Sequence, residues 1–191
     1  MYHLDEQEKK IITELVRNPR ISDNQIGKRT RVPIRTVSRK RNKLEEEGII
    51  SYFSNINMRS NGTARFGARQ LHVIRFKLGI TREQIMNEIK EEKMVRMSYG
   101  KYIYESHLAE IEGHIALILI IEGKSDEHIV ENFNKEIVPS LMRNHGRDSI
   151  EKVFTIRLSD PIRIFHNYLP LLNMEKGFIK KDWPDELIFV E

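Results

Sequence analysis

The chain has 191 residues, of which 39% are hydrophobic and 31% are charged, so it is neither disordered nor collagen-like. Its longest wholly apolar run, Ile115 to Ile121, is far shorter than the roughly 20 residues of a membrane span. The absence of cysteine excludes disulfides, a thiol nucleophile and cysteine-ligated zinc. With no secretory signal at the N-terminus, these features predict a cytoplasmic protein without membrane contact.

Positive charge is concentrated in one segment, although the net charge is only +4. The stretch from Asn24 to Leu44 contains no acidic residue and is rich in Lys and Arg. A basic block on an otherwise balanced chain favours a local site for a polyanion such as nucleic acid. The alternative is an ordinary solvated helix face.

The first 50 residues have the pattern of three helices. Capping-box spacings at Asp5 and Ser22 predict the starts of the first two helices. Pro33 suits the first turn of the third helix, and Gly48 predicts its end. Weak alternation over residues 49–58 then predicts a two-stranded wing.

The pattern changes after a short polar stretch with the turn signal Asn61-Gly62. The order of elements becomes strand, helix, strand, strand, helix, strand, which is the split βαβ arrangement of ferredoxin-like domains. The sequence therefore predicts an α+β fold with an N-terminal winged helix-turn-helix, a ferredoxin-like βαββαβ domain and a C-terminal extension. The predicted boundaries are 1–58, a linker at 59–68, 69–159 and 160–191.

The third predicted helix has the composition of a DNA-reading element. Helical spacing turns Val37 and Leu44 toward the core and the basic side chains away from it. Arginine can bridge O6 and N7 of guanine, while other basic side chains neutralise phosphates. We predict base contacts by Arg35, Thr36 and Arg39, phosphate contacts by Lys28, Arg31, Lys40 and Lys43, backbone-side help from Ser22 and Asn24, and Asn42 on the same exposed face.

Three segments resemble the leucine-responsive regulator/AsnC family of transcription factors, also called feast/famine regulators. They are "LDEQEKKIITEL" at Leu4–Leu15, "RISDNQIGKRT" at Arg20–Thr30 and "VSRKRNKLEEEGII" at Val37–Ile50. The resemblance implies a transcription regulator in which a ferredoxin-like domain dimerises and senses a ligand. Arg41 stands where the family has an apolar residue, so we expect its side chain to snorkel or the helix to be rotated.

The resemblance implies partners as well. A recognition helix reads only a few base pairs, so we predict a homodimer, with tetramers and octamers left open. The apolar run Ile115 to Ile121 favours a second buried sheet face between back-to-back sheets.

The family's Gly-x-x-Asp effector signature is replaced by Gly113-His114-Ile115-Ala116, which supplies no carboxylate for an ammonium group. We therefore predict that common amino acids do not bind, with another effector left open. We expect residues 161–191 to pack on the sheet, and no cofactor or metal is predicted.

Two functions other than a transcription regulator are also compatible with features of this sequence. An architectural protein that coats DNA with little sequence preference would need the same basic helix.

Some relatives of the two-domain fold resemble tetrapyrrole decarboxylases, and an enzyme could use the sheet-domain residues His72, His107, His114, Arg69, Arg75 and Arg96. A metal could be held by His107 and His114 with Glu105, Glu110 and Glu112. The intact basic helix argues against an enzyme, and we predict none.

Overall fold

The computed structural model describes residues 2–54, 67–91 and 100–191. The chain forms two compact units, of which the first combines Met1–Asn55 with Asp160–Glu191 and the second comprises Ile56–Ser159. We call them the helical unit and the sheet unit. The C-terminal extension thus belongs with the N-terminal helices, and the prediction that it packs on the sheet is wrong. In the parts of the chain that are described, no helix is long and apolar enough to cross a membrane.

Three helices form the core of the helical unit: α1 (Glu6–Arg17), α2 (Asp23–Thr30) and α3 (Ile34–Glu46). Their buried apolar residues include Ile11, Leu15, Ile21, Ile26, Val32 and Val37. Both predicted capping boxes are confirmed, at Asp5 with Glu8 and at Ser22 with Gln25. Each box satisfies backbone N–H groups that a helix start leaves without partners. Pro33 is the N-cap of α3 rather than part of its first turn.

The turn between α2 and α3 is tight. Arg31 adopts the left-handed conformation with φ 60° and ψ 24°, which a side chain with a Cβ rarely takes. A Cβ on Gly27 would lie 2.9 Å from the carbonyl oxygen of Val32, so only glycine allows this approach without a shift. These two residues bring the start of α3 close to the end of α2.

The predicted wing and linker fall mostly outside the described residues. Residues 49–54 are described and contain no strand, while 55–58 and most of the linker are not described. The N–H of Gly67 already donates to the carbonyl oxygen of Gly123 at 2.8 Å, and the first strand begins at Ala68. The C-terminal end of the predicted linker therefore lies slightly past the start of the first strand.

The sheet unit has the predicted order of elements. They are β1 (Ala68–Phe76), α4 (Arg82–Glu91), β2 (Ile103–Ile111), β3 (His114–Gly123), α5 (Asp126–Asn132), α6 (Val138–His145) and β4 (Ile150–Leu158). The antiparallel sheet has the order β2-β3-β1-β4, which confirms the ferredoxin-like fold. A π-helical turn, Phe133–Ile137, joins α5 to α6 just before Pro139. This is the break in helical regularity expected at a proline.

The two faces of the sheet differ in burial. One face carries the main core, with Ile74, Phe76, Leu119 and Ile121 buried among helix residues. Strand alternation and register bring Leu71, Val73, Ile118, Ile120, Phe154 and Ile156 to the opposite face. On this face Phe154 is 41% and Ile156 54% exposed, so part of the sheet is apolar and uncovered.

The C-terminal extension is fastened to α1 by hydrogen bonds. It contains a small hairpin of β5 (Met174–Glu175) and β6 (Phe178–Ile179). The hydroxyl of Tyr168 donates to the carbonyl oxygen of Val16 at 3.0 Å. Arg17 donates through Nε to Asp185 at 2.8 Å and through Nη1 to the carbonyl oxygen of Lys180 at 3.2 Å. The extension is therefore part of the helical unit.

Candidate nucleic-acid interface

Lys40 fixes α3 against α1. It is only 7% exposed, and its ammonium group pairs with Asp5 and lies 3.6 Å from Oε1 of Glu8. The same Glu8 oxygen accepts a hydrogen bond of 3.0 Å from the hydroxyl of Tyr2. The prediction that Lys40 meets a phosphate is therefore corrected, because its ammonium group is buried in ion pairs within the protein.

The hydrogen bond from Lys40 holds the pKa of Asp5 below its ordinary value, and the backbone N–H of Glu8 acts in the same direction. Asp5 and Glu8 are also the capping-box residues of α1, so the group that caps α1 simultaneously anchors the middle of α3. The orientation of α3 is thus set by charge as well as by apolar packing.

Arg41 makes a second set of polar contacts beneath α3. Its Nε donates to Glu45 at 3.0 Å, and its Nη1 donates to Asp23 at 3.1 Å and to the carbonyl oxygen of Ile21 at 3.2 Å. Its guanidinium carbon also lies 5.5 Å from the ring centre of Tyr52. Arg41 therefore provides polar links from α3 to the start of α2 and to residue 52.

The hydroxyl of Tyr52 donates to Glu45 at 2.8 Å. This hydrogen bond, together with that from Arg41, lowers the pKa of Glu45. Glu45 therefore stays ionised as the shared acceptor that connects the end of α3 to the chain that follows it.

The remaining cations of this region are exposed and unpaired. No ion pair within the described residues involves the side chains of Lys28, Arg31, Arg35, Arg39 or Lys43. By contrast, Arg17, Arg29 and Arg41 each pair with a carboxylate. Unpaired cations on α3, at the end of α2 and at the turn between them give a surface that favours a polyanion.

The other predicted site residues lie at or near the same surface. Asn24 and Asn42 are exposed, and Thr36 is half-buried. Ser22 is exposed, but its Oγ accepts the N–H of Gln25 at 3.3 Å as the cap of α2. With the exception of Lys40, every predicted side chain thus remains accessible in part or in full.

Two nearby residues were not predicted. Ile34, the first residue of α3, is exposed next to the cationic side chains and could contact a thymine methyl group. Tyr2 lies with its ring centre 5.1 Å from the ammonium nitrogen of Lys43. Ile34 could have been found from the helix start that Pro33 signals, whereas nothing in the local sequence connects Tyr2 to Lys43.

The residues considered for an enzyme or a metal site form no single cluster where they are described, although Arg75 and His114 both contact Glu151. His72 is buried beneath the helices and contacts Gln70, while His107 is exposed on an edge strand, 2.6 Å from Glu105. Nδ1 of His114 lies 2.8 Å from the carbonyl oxygen of Phe76, and Arg96 is outside the described residues. No group of three or more His, Asp or Glu side chains with metal-binding geometry occurs among the described residues.

The three helices and the exposed cationic face define a helix-turn-helix of the DNA-binding type. Residues 4–51 match the family described as winged helix-turn-helix DNA-binding. No curated protein matches the chain significantly.

Solved transcription regulators share the fold over most of this chain. A regulator of Neisseria meningitidis in complex with L-Met is 16% identical with a TM-score of 0.64, covering 89% of this chain and 98% of that one. AsnC of E. coli is 15% identical with a TM-score of 0.64, covering 86% and 98%. LrpC of B. subtilis is 17% identical with a TM-score of 0.57, covering 84% and 98%. The fold implied by the sequence resemblance is thereby confirmed.

Proposed function

We propose that the protein is a transcription regulator that binds specific DNA sequences as a homodimer, with α3 in the major groove. The observation that carries the proposal is the set of exposed, unpaired cations on α3 and the preceding turn, held on a helix that Lys40 and Arg41 fix from below. Such a face can offer arginine to guanine and lysine to phosphate. With DNA as the partner, the proposal also assigns the protein to the cytoplasm.

Substitutions on α3 test the assigned groove face. Arg39→Ala is expected to weaken binding to the specific site by about 1–3 kcal/mol and to relax discrimination at one base position. Lys43→Ala should weaken binding to all DNAs about equally, because a phosphate contact carries no sequence information. A DNA selection with the purified protein, followed by titrations of specific and random duplexes, measures both effects. Unchanged affinity and preference in Arg39→Ala would show that the groove face is assigned wrongly.

The same selection separates the regulator from an architectural protein that coats DNA. A regulator enriches a defined motif, whereas a coating protein enriches none and has similar affinity for promoter and random DNA. Arg39→Lys is a useful matched variant, because it retains the charge and loses the bidentate geometry. For a coating protein this variant should behave like the parent, and for a regulator it should lose discrimination.

The uncovered sheet face supports the homodimer. Its apolar centre of Leu71, Val73, Ile118, Ile120, Phe154 and Ile156 is flanked by the ion pairs of Arg69 with Glu122 and of Arg75 with Glu151. An apolar centre with a charged rim is the usual composition of a protein interface. A dimer can place two recognition helices about 34–36 Å apart, on successive turns of one DNA face.

A charge introduced into the apolar centre of the sheet face is expected to break the dimer. Ile156→Glu places a carboxylate in the apolar centre, so it should shift the protein to monomer and weaken DNA binding, because two half-sites no longer bind together. Light scattering at micromolar concentration measures the mass. Glu131→Lys, at an exposed position on α5, is the control and should leave the mass unchanged. A parent protein that is monomeric at this concentration would contradict the proposal.

The proposal also concerns the small-molecule effector and excludes the common amino acids. The Neisseria meningitidis regulator was solved with L-Met, but here Ile115 or Ala116 occupies the position of the family's aspartate after Gly113, and neither supplies a carboxylate. We therefore expect common amino acids not to bind. Calorimetry with each amino acid tests this, and a sub-millimolar affinity, about −4 kcal/mol or stronger, would contradict it.

A further inference from the structure

A cleft of about 620 Å³ lies within the helical unit, between the start of α1 and the C-terminal extension. This volume is within the range of about 300–1,000 Å³ that is typical of small-molecule sites. Its lining combines the aromatic residues Tyr2, Phe165, Tyr168 and Phe189 with several aliphatic side chains, and it also includes the acidic residue Glu191. An apolar cleft with several aromatic rings favours a ligand with a flat, apolar body.

The aromatic rings at the cleft are held in exposed positions. Phe165 is 64% and Phe189 51% exposed, although both are large apolar side chains. The backbone of Phe189 is fixed by Asn167, whose Nδ2 donates to its carbonyl oxygen at 2.9 Å and whose Oδ1 accepts its N–H at 2.7 Å. The His166 ring lies 4.8 Å from that of Phe189. The surface is thus preorganised, and a ligand would cover apolar area that the protein leaves in water.

The cleft also contains a cation with no internal partner. Lys9 lines it and is half-buried, yet no carboxylate of the described residues lies within ion-pair distance of its ammonium group. The rings of His3 and His166 add nitrogen atoms that can donate hydrogen bonds. A partly desolvated ammonium group beside apolar walls favours an anionic group on the same ligand.

We propose that this cleft binds a small molecule with a flat aromatic body and one anionic group. The body packs between the rings of Phe165 and Phe189, and the anion meets the ammonium group of Lys9.

The cleft is connected to α3 through its lining. Tyr2 lines the cleft, donates its hydroxyl to Glu8 and lies under the ammonium group of Lys43. Glu8 in turn is one of the two carboxylates around Lys40. A ligand in the cleft therefore contacts Tyr2, which is linked to Lys40 through Glu8 and lies against Lys43. We expect the ligand to change DNA binding through these contacts, and only this regulatory role rests on the proposed function.

Fluorescent probes test the site without DNA. The anionic probe is 8-anilinonaphthalene-1-sulfonate, and N-phenyl-1-naphthylamine is its neutral counterpart. The double variant Phe165→Ala/Phe189→Ala should weaken both probes about tenfold, because it removes the aromatic walls. Lys9→Gln should weaken the sulfonate about tenfold and leave the neutral probe nearly unchanged. Lys10→Gln, the exposed neighbour that does not line the cleft, is the matched control and should change neither probe.

Amide resonances locate the bound probe. Saturation with the sulfonate should shift resonances of residues 2–4, 165–168 and 189, and circular dichroism of the variants should match that of the parent because the truncated rings are exposed. The proposal is overturned if the shifts lie on the open sheet face instead, or if Lys9→Gln binds the sulfonate as the parent does. Neither result depends on DNA binding, so failure of the ligand site is distinguishable from failure of the regulator.

Discussion

Lys40→Met is expected to lower the free energy of unfolding of the helical unit by about 3 kcal/mol, as breaking a buried ion pair usually does. Methionine matches the aliphatic part of lysine and lacks only the ammonium group, so the loss comes mainly from charge rather than from a cavity. The substitution leaves the buried carboxylate of Glu8 without a cation and frees Asp5 from its partner. Chemical denaturation of the parent and the variant at neutral pH measures the difference.

Two further variants make the interpretation of Lys40→Met specific. Adding Glu8→Gln should recover part of the lost stability, because the remaining buried side chain is then uncharged. Lys43→Met, on the exposed face, should change stability by only about 0.5 kcal/mol or less. If Lys40→Met were instead neutral for folding and weakened all DNAs equally, Lys40 would be a phosphate contact after all.

Lys40 shows where helical periodicity stops being informative. Spacing correctly turns Val37 and Leu44 inward and Arg39 and Lys43 outward. Lys40 lies between these two sets, and its burial depends on the carboxylates of Asp5 and Glu8. These belong to another helix, and the angle between two helices is not encoded in either one. A basic residue at the border of an amphipathic helix is therefore ambiguous until its neighbours in space are known.

The caps and the sheet topology could be predicted because they depend on residues close together in the sequence or on a repeating pattern. A capping box such as Ser22 with Gln25 is complete within one turn of chain. The alternation of β1 follows from strand geometry alone, and the order of elements leaves few topologies open. Features of these two kinds can therefore be predicted from the sequence without knowledge of distant contacts.

The C-terminal extension lacks both kinds of signal. Its strands are two residues long, too short for a detectable alternation. Its attachment depends on Arg17, which meets Asp185 and the carbonyl oxygens of Lys180 and Trp183. Backbone carbonyls are present in every residue, so the sequence does not mark which ones a distant arginine will bond.

Burial of His72 gives the sheet unit a pH dependence of its own. The ring is 1% exposed and stacks on Phe133 at 4.2 Å between centres. Its Nε2 lies 3.1 Å from Oε1 of Gln70 and its Nδ1 3.3 Å from the hydroxyl of Thr155, partners that suit a neutral ring. Gln70 is fixed in turn by donating to Asp126 at 2.8 Å. Desolvation lowers the pKa of His72 to about 4 from its ordinary 6.5.

The sheet unit is therefore expected to lose stability as the pH falls from 6.5 toward 4. In this range the unfolded chain binds a proton at His72 and the folded chain does not, so protons favour unfolding. The difference between the two pKa values corresponds to about 3 kcal/mol, fully lost only below the folded value. His72→Gln should remove this part of the pH dependence, because glutamine does not titrate, while it retains a polar group beside Gln70. Denaturation of parent and variant at pH values across this window measures the difference, and parallel stability curves would show that the ring is protonated in the folded protein.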